Sequence, residues 1–190
     1  MDLQSAPVRR LMAERFRDFM KVVFTLSQEE FVEQFPHPFL FYSERGTPLS
    51  DLGHTRLVDN AGPSGPIDRF SEQVLDFLPL LPNLKTQREF PRKIFIGRDP
   101  KRDMVVSHTT VSSRHACLFF DEADGTWKLV DSGSTNGTFV GARSLKAGEP
   151  VALQDGDVIS FGKASFLFLS PAGAYRFMRQ YRAFRDALRE

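Results

Sequence analysis

Three short segments of the sequence concentrate the side chains that could hold a ligand. They are Ile96-Gly97-Arg98, Val111 to His115 and Ser134 to Thr138, and strand-like residues separate them. Their Gly, Ser, Thr, Asn and Arg residues supply hydrogen-bond donors and positive φ angles, as expected at loop tips. A guanidinium, several hydroxyls, an amide and exposed N–H groups suit an oxyanion such as phosphate. Nothing in the set is nucleophilic or basic enough to indicate turnover.

The sequence around these segments predicts a β-sandwich. From Lys93 onward the apolar residues follow a period of two, and turns such as Asp124-Gly125 separate short runs. Many short strands at regular spacing are typical of an all-β sandwich. The predicted strands are Ile94–Ile96, Met104–Val106, Ala116–Phe120, Trp127–Val130, Thr138–Val140, Pro150–Leu153, Val158–Phe161 and Ser165–Leu169. If the strands bring the three loops to one end, they form a shallow site.

The order of the motifs resembles a known family. Gly97-Arg98, Ser112-x-x-His115 and Asn136-Gly137 resemble the forkhead-associated (FHA) domain, a β-sandwich family whose loops bind phosphothreonine peptides. The likeness covers about residues 93–169 and includes the late strand within Gly156 to Gly162. It implies an FHA-like β-sandwich. With the α-helical N-terminal extension and the C-terminal helix that the flanking sequence predicts, the expected fold class is mainly β.

The resemblance implies a phosphopeptide-binding set. Arg98 would meet the phosphate with two N–H groups at once, and Ser112 would donate its hydroxyl to the same oxyanion. Ser113 would add a weaker contact, and Asn136 would hold the peptide backbone beside the phosphothreonine. The binding residues are Arg98, Ser112, Ser113, Thr135 and Asn136.

The resemblance also implies residues that shape the loops. Gly97, His115 and Gly137 would structure the site, His115 by bracing the loops through hydrogen bonds. Selection of the residues that flank the phosphothreonine would come from loop side chains such as Thr110 and Arg114.

Each of these assignments has a plainer alternative. Arg98 could be a surface arginine paired with Asp99 or Asp103, and Ser112 could cap its own loop. His115 in isolation looks like a ligand or a base. However, no second His, Cys or carboxylate lies at metal-ligand spacing, and no third group indicates a catalytic triad. We therefore expect no metal and no cofactor.

Helical and loop-rich sequence precedes the sandwich. Pro7 to Phe24 has the apolar spacing of a helix, and Ser27 to Glu30 forms a capping box for a short helix that ends before Pro36. Phe39 to Tyr42 is a predicted strand, and residues 46–66 are rich in Gly and Pro. A third helix is predicted over Phe70 to Leu78, stopped by the proline that follows. The aromatic residues of this region are expected to pack on their own domain.

A C-terminal amphipathic helix is predicted past Pro171. Its apolar stripe holds Phe177, Tyr181, Phe184 and Leu188, and the arginines between them are expected to form a solvated face. Two apolar stripes at opposite ends of the chain suggest that the terminal helices pair beside the sandwich. The predicted units are residues 1–90, residues 91–171 for the sandwich, and residues 172–190.

Composition excludes several classes of protein. The chain has 190 residues and a net charge of +1, with 25 basic and 24 acidic residues, which argues against bulk nucleic-acid binding. The single Cys117 cannot form an intramolecular disulfide and favours a reducing, cytoplasmic setting. No apolar run approaches the roughly 20 residues of a membrane span, so neither membrane insertion nor a cleaved signal is expected.

The sequence predicts recognition without catalysis. The expected partner is a phosphothreonine-containing protein, the substrate of a Ser/Thr protein kinase, and the module is a signalling adaptor. One alternative is a scaffold that uses the aromatic helices, with homo-oligomers formed through the terminal helices and an idle phosphate site. A third interpretation, an enzyme, has the least support. Thr47 and Thr55 are candidate self-ligands if they are phosphorylated.

Overall fold

The computed structural model describes residues 23–43, 77–80 and 93–187. It confirms a mainly β sandwich, with one sheet of six strands in the order β2-β1-β11-β10-β7-β8 and one of five in the order β4-β3-β5-β6-β9. The strands are β1 (Phe39–Ser43), β2 (Phe77–Leu80), β3 (Lys93–Gly97), β4 (Met104–Val105), β5 (Ala116–Asp121), β6 (Thr126–Asp131), β7 (Thr138–Val140), β8 (Arg143–Ser144), β9 (Val151–Ala152), β10 (Val158–Phe161) and β11 (Ala164–Leu169). The helices are α1 (Gln28–Gln34) and α2 (Pro171–Ala187).

The core lies between the two sheets. Ile94 and Ile96 are fully buried while Phe95 between them is only half-buried, as the period-two pattern requires. Residues from both sheets form one apolar cluster, which removes their side chains from water and supplies most of the driving force for folding. Its members from the six-stranded sheet include Leu40, Ile159, Phe161, Phe166 and Phe168.

Strand register places the loop segments at one end of the five-stranded sheet. Ile96 near the end of β3 lies opposite Ala116 at the start of β5, and Ala116 lies opposite Asp131 at the end of β6. The chain therefore leaves β3, enters β5 and leaves β6 at neighbouring points. The loops that carry the three sequence motifs consequently meet at the same edge.

The N-terminal region contributes two strands to the sandwich. β1 pairs with β11, with Leu40 opposite Phe168, and Leu40 is fully buried in the core. The prediction of a helix over residues 70–78 is wrong where the structure tests it, because Phe77–Leu80 is a strand paired with β1. Pro79 lies within this strand, which the sheet tolerates because β2 is at its edge. Phe70 and Val74 lie outside the described residues.

A second apolar cluster covers the outer face of the six-stranded sheet. It joins the segment at residues 23–35, β1, β11 and α2. The Tyr175 hydroxyl donates to the Leu26 carbonyl over 2.9 Å, and the Arg179 guanidinium lies 5.6 Å from the ring centres of both Phe24 and Tyr175. The C-terminal helix thus packs on residues 23–35. The predicted pairing with the helix over Pro7 to Phe24 stays a prediction, because most of that stretch lies outside the described residues. The buried members of the cluster are Val23, Phe31, Phe39, Phe41, Leu167, Leu169, Ala174 and Met178.

Two of the arginines of α2 bind groups within the chain instead of forming a purely solvated face. Arg176 donates to the Asp155 carboxylate over 3.0 Å, and Arg179 stacks on aromatic rings. Asp155 also accepts the Ser170 N–H over 2.6 Å, immediately before the first residue of the helix. The turn before β10 therefore fixes the start of α2.

The short N-terminal helix begins as predicted. The Glu30 N–H donates to the Ser27 hydroxyl over 3.2 Å, and the Ser27 N–H donates to the Glu30 carboxylate over 2.7 Å, which is a complete capping box. Residues 23–25 are helical, whereas the rest of the predicted Pro7–Phe24 helix, the loop-rich stretch, Thr47 and Thr55 lie outside the described residues. Among the helices of the described ranges, none combines the length and apolar character needed to cross a membrane.

Candidate functional site

Gly97 holds two of the site loops together. The Arg98 N–H donates to the Ser112 carbonyl over 2.9 Å, so the loop after β3 is bonded to the loop before β5. A Cβ atom at position 97 would lie 2.3 Å from the Ser113 carbonyl oxygen and 2.9 Å from its carbon, both backbone atoms. Only glycine permits this approach of the two chains. The motif Gly97-Arg98 thus has a steric basis.

The Arg98 side chain is exposed and is not paired with a carboxylate of the described residues. Its Nε donates to the Val111 carbonyl over 3.2 Å, which holds the guanidinium beside the second loop. The two carboxylates considered as partners are engaged elsewhere. Asp99 accepts the Lys101 N–H over 2.9 Å and lies 3.9 Å from Arg102, and Asp103 accepts the Phe95 N–H over 2.8 Å. The terminal nitrogens of Arg98 therefore remain available for an anion.

Ser112 joins the second loop to the third. Its hydroxyl oxygen accepts the Thr135 N–H over 3.0 Å and lies 3.4 Å from the Thr135 hydroxyl. The hydroxyl therefore bridges two loops instead of only capping its own. Ser113 and Thr135 are both exposed beside it. The hydroxyls of Ser112 and Thr135 thus lie together where the two loops meet.

His115 is the buried brace of this junction. Its ring is fully buried, its Nδ1 accepts the Ser112 N–H over 3.0 Å, and its Nε2 lies 3.1 Å from the Gly137 carbonyl. Because Nδ1 accepts, the proton must lie on Nε2, which donates to Gly137. One neutral imidazole therefore ties the Ser112 loop to the Asn136-Gly137 turn, as predicted. Both ring nitrogens are used on main-chain groups, so His115 is not placed to deprotonate the Ser112 hydroxyl.

The direction of the pKa shift of His115 shows which protonation state the folded protein favours. Burial lowers it below its ordinary value, against smaller opposing effects of the Gly137 hydrogen bond and of the charge on Asp131. A protonated ring would present an N–H to the Ser112 N–H in place of an acceptor. The neutral form is therefore the one that stabilises the site.

Acidification is expected to destabilise the protein through His115. The folded chain binds this proton more weakly than the unfolded chain, so the stabilising contribution is complete above the ordinary pKa of about 6.5 and is lost as the pH falls through the folded-state pKa. The free energy of unfolding, measured with urea between pH 7.5 and pH 5, should fall more steeply in the wild type than in His115→Gln. The variant retains an acceptor and a donor but cannot titrate, and equal slopes for the two proteins would contradict the expectation.

Asn136 faces the second loop from the third. Its Nδ2 donates to the Thr110 carbonyl over 2.8 Å, and the residue is exposed. Gly137 follows with φ +78°, a left-handed backbone angle that favours glycine. The amide of Asn136 is thereby held at the surface beside Thr135. A contact of this amide to a peptide main chain stays a prediction.

The two residues predicted to select flanking peptide positions differ in their surroundings. Arg114 is exposed and has no hydrogen bond or ion pair with any residue that the structure describes. Thr110 is half-buried, with its hydroxyl 2.8 Å from Nδ1 of His108 and accepting the Lys163 N–H over 2.9 Å. Any influence of Thr110 on selection would therefore act through the shape of its loop. A role in selection remains a prediction for both.

Asp131 is a site-forming residue that the sequence-based prediction missed. It is 4% exposed, and its carboxylate accepts the N–H groups of Gly133 and Ser134 and the hydroxyls of Ser134 and Thr138 over 2.5 to 2.9 Å. Burial alone would raise its pKa, but the hydrogen bonds from Ser134, Thr138 and Gly133 together lower it. The ionised carboxylate thus shapes the loop that presents Thr135. An Asp at a strand end before Ser-Gly-Ser is a turn signal that could have indicated it.

The whole predicted set of phosphate- and peptide-contacting residues lies on the three loops at one end of the sandwich. Their functional groups are a guanidinium with no carboxylate partner in the described ranges, hydroxyls and an amide, and hydrogen bonds of 2.8 to 3.2 Å tie Arg98, Ser112 and Asn136 to neighbouring loop residues. Within the described ranges, no group of three or more His, Cys, Asp or Glu residues could hold a metal ion. The arrangement can bind an oxyanion and an adjacent main chain through donors alone.

Comparison with known proteins identifies the family of this segment. The family model "FHA domain" matches residues 94–162. The oxoglutarate dehydrogenase inhibitor of Corynebacterium glutamicum is 39% identical over 74 residues, which cover 39% of this chain and 48% of that protein. The glycogen accumulation regulator GarA of Mycolicibacterium smegmatis is 36% identical over 74 residues, or 39% of this chain and 44% of the regulator.

A solved structure is similar over part of this chain. Mycobacterium tuberculosis EmbR, solved in complex with a low-affinity phosphopeptide, is 28% identical and covers 42% of this chain and 20% of its own, with a TM-score of 0.37. The chain spans about half or less of the length of the curated relatives it matches. The family model lies on the sandwich and its loops, where it agrees with the motifs and the strands. Residues 94–162 of this chain form an FHA domain.

Proposed function

We propose that this protein is a phosphothreonine-binding adaptor that recognises partner proteins modified by a Ser/Thr protein kinase. The observation that carries the proposal is the position of Arg98, which is exposed and not paired with a carboxylate of the described residues. Its side chain is bonded to the Val111 carbonyl and its main chain to the Ser112 carbonyl. A phosphothreonine brings about −1.5 to −2 charges and three acceptor oxygens. The forkhead-associated family, whose model matches this segment, binds such peptides.

The roles follow from the chemistry of each group. Arg98 binds the phosphate through its paired N–H groups, and the hydroxyls of Ser112 and Ser113 donate to the same oxygens. Thr135 lies beside them, and Asn136 contacts the peptide main chain. No step requires a bond to be broken, so the proposal is recognition without turnover. With net contributions of about 1.5–3 kcal/mol for each charge-assisted bond, we expect affinities in the micromolar range, near −8 kcal/mol.

The proposal is tested by replacing Arg98. Titration of a degenerate phosphothreonine peptide library should show binding by the wild type and a loss of about 10- to 150-fold in affinity in Arg98→Ala, since at least one charge-assisted bond of 1.5–3 kcal/mol is removed. Arg98→Lys should recover only part of the loss, because an ammonium cannot bind a phosphate bidentately.

A matched control separates this effect from loss of charge. Arg143 is an exposed arginine of β8. It lies opposite Val140, the last residue of β7, whereas the site lies at the first residue of that strand. Arg143→Ala should bind as the wild type does, and unphosphorylated peptides should not bind. If the folded wild type binds no phosphothreonine peptide, or if Arg98→Ala binds as well as Arg143→Ala, the proposal is wrong.

The described structure gives less support to the scaffold alternative. Phe31, Phe39 and Phe41 are at most 1% exposed and pack against α2 and the outer face of the sheet. These aromatic side chains are therefore not available to a partner. A cytoplasmic location is part of the proposal, because the single Cys117 is an unpaired thiol that suits a reducing compartment.

A further inference from the structure

Hydrogen bonds join the turn between β10 and β11 to both of the loops that would contact the peptide. The Gly162 N–H donates to the Gly137 carbonyl over 2.9 Å, and the Lys163 N–H donates to the Thr110 hydroxyl over 2.9 Å. Gly162 has φ +60°, and a Cβ there would lie 2.7 Å from the Thr110 carbonyl oxygen. The turn is therefore part of the site end of the sandwich, although it carries none of the sequence motifs.

Lys163 presents the only charge of this turn. The residue is exposed, and its ammonium forms no ion pair with any residue of the described ranges. By contrast, the exposed Lys146 lies 3.3 Å from the Glu149 carboxylate, which follows it by three residues. An unpaired lysine whose backbone is held in place, on a flexible stem that reaches about 6 Å from its Cα, can bind an acidic group of a ligand.

The contacts of Lys163 place it on the peptide side of the site. Its main chain is bonded to Thr110, and the carbonyl of Thr110 accepts the Asn136 amide over 2.8 Å. Arg98 is instead bonded to the Val111 carbonyl through its side chain and to the Ser112 carbonyl through its main chain. Lys163 is therefore adjacent to the residue assigned to the peptide main chain and not to those assigned to the phosphate.

We infer that Lys163 is a specificity-determining residue that selects a carboxylate side chain, Asp or Glu, near the phosphothreonine of the bound peptide. The inference rests on the proposed function. Because the ion pair would form at the exposed rim, its effect is modest and depends on salt. It changes which phosphopeptides are preferred and leaves the contact to the phosphate unaltered.

The test is an aspartate scan of one phosphothreonine peptide. A parent peptide with neutral flanks and a set of peptides with a single Asp at each flanking position are titrated at low salt against the wild type, Lys163→Gln and Lys146→Gln. The wild type and Lys146→Gln should prefer Asp at one position by about 2- to 5-fold. Lys163→Gln should lose that preference while binding the parent peptide with unchanged affinity.

A variant with the opposite charge at position 163 distinguishes a direct contact with the peptide from a structural role. Lys163→Glu should prefer Lys over Asp at the same peptide position, which a merely structural role for the residue would not produce. The inference is overturned if no Asp position is preferred, or if Lys163→Gln keeps the preference, while the parent peptide still binds. Failure of the wild type to bind the parent peptide overturns the proposed function as well, so the two failures are distinct.

Discussion

A fragment limited to residues 91–171 is expected to be unfolded or aggregated, although it contains every residue of the FHA match. It lacks β1, which pairs with β11, and α1, which covers the outer face of the same sheet. Phe31, Phe39, Leu40 and Phe41 are at most 1% exposed in the chain. At about 1.5–3 kcal/mol for each buried side chain, their loss removes about as much free energy as the 5–15 kcal/mol that stabilises a typical domain.

The measurement compares three proteins by circular dichroism melting and size-exclusion chromatography. The full chain and a fragment of residues 23–190 should both melt cooperatively as compact species, because both retain β1, α1 and α2. The fragment of residues 91–171 should show no cooperative transition, or should elute as an aggregate that exposes Leu167 and Leu169. A compact monomer of this fragment that melts within a few degrees of the full chain would show that the N-terminal strands are dispensable.

Gly97→Ala is expected to lower both stability and phosphopeptide affinity. The added methyl group would lie 2.3 Å from the Ser113 carbonyl oxygen, and main-chain atoms cannot rotate away as a side chain does. The loop before β5 must shift, which weakens the bond from the Arg98 N–H to the Ser112 carbonyl and displaces two phosphate-binding groups. We expect a loss of about 1–3 kcal/mol in the free energy of unfolding, as for overpacked sites, and at least a tenfold loss of affinity.

Gly125→Ala is the matched control for this change. Gly125 lies in the turn between β5 and β6, has φ +69°, and a Cβ there meets no atom within 4 Å. Its replacement should cost about 1–2 kcal/mol of stability through backbone strain alone and leave phosphopeptide affinity unchanged. Denaturant unfolding and peptide titration on both variants provide the comparison. Wild-type affinity in a folded Gly97→Ala protein would show that the close approach does not position the site.

Much of the sandwich could be predicted because its determinants are local. The alternation of Ile94 and Ile96 with Phe95 fixes which face of β3 is buried, and Asp124-Gly125 supplies a turn. The order of Gly97-Arg98, Ser112, His115 and Asn136-Gly137 predicted which loops lie together, and the hydrogen bonds between these loops agree with it. That these loops bind a phosphopeptide stays a prediction. The bracing role of His115 followed from the resemblance and agrees with its two hydrogen bonds.

The features that were missed depend on contacts between distant residues. The spacing of Phe77 and Leu78 is compatible with the apolar face of a helix. In the structure these residues pair with β1 and form a strand. Asp131 is the exception, because its donors lie two to seven residues along the chain and the Asp-Ser-Gly-Ser turn signal could have indicated it. Lys163 is 53 residues from Thr110, which accepts its N–H. Such pairings follow from the path of the whole chain, and no short pattern encodes them.

The pairing of β1 with β2 also determines what the long connection between them can tolerate. Ser43 lies directly opposite Phe77, so β1 ends and β2 begins at neighbouring points of the sheet. The register of the sheet therefore fixes the distance between the two ends of the connection. Because the entropy of closing a loop grows only with the logarithm of its length, a doubling costs about 0.6 kcal/mol. For the closure that this register imposes, added residues between Ser43 and Phe77 thus carry only a small entropic cost.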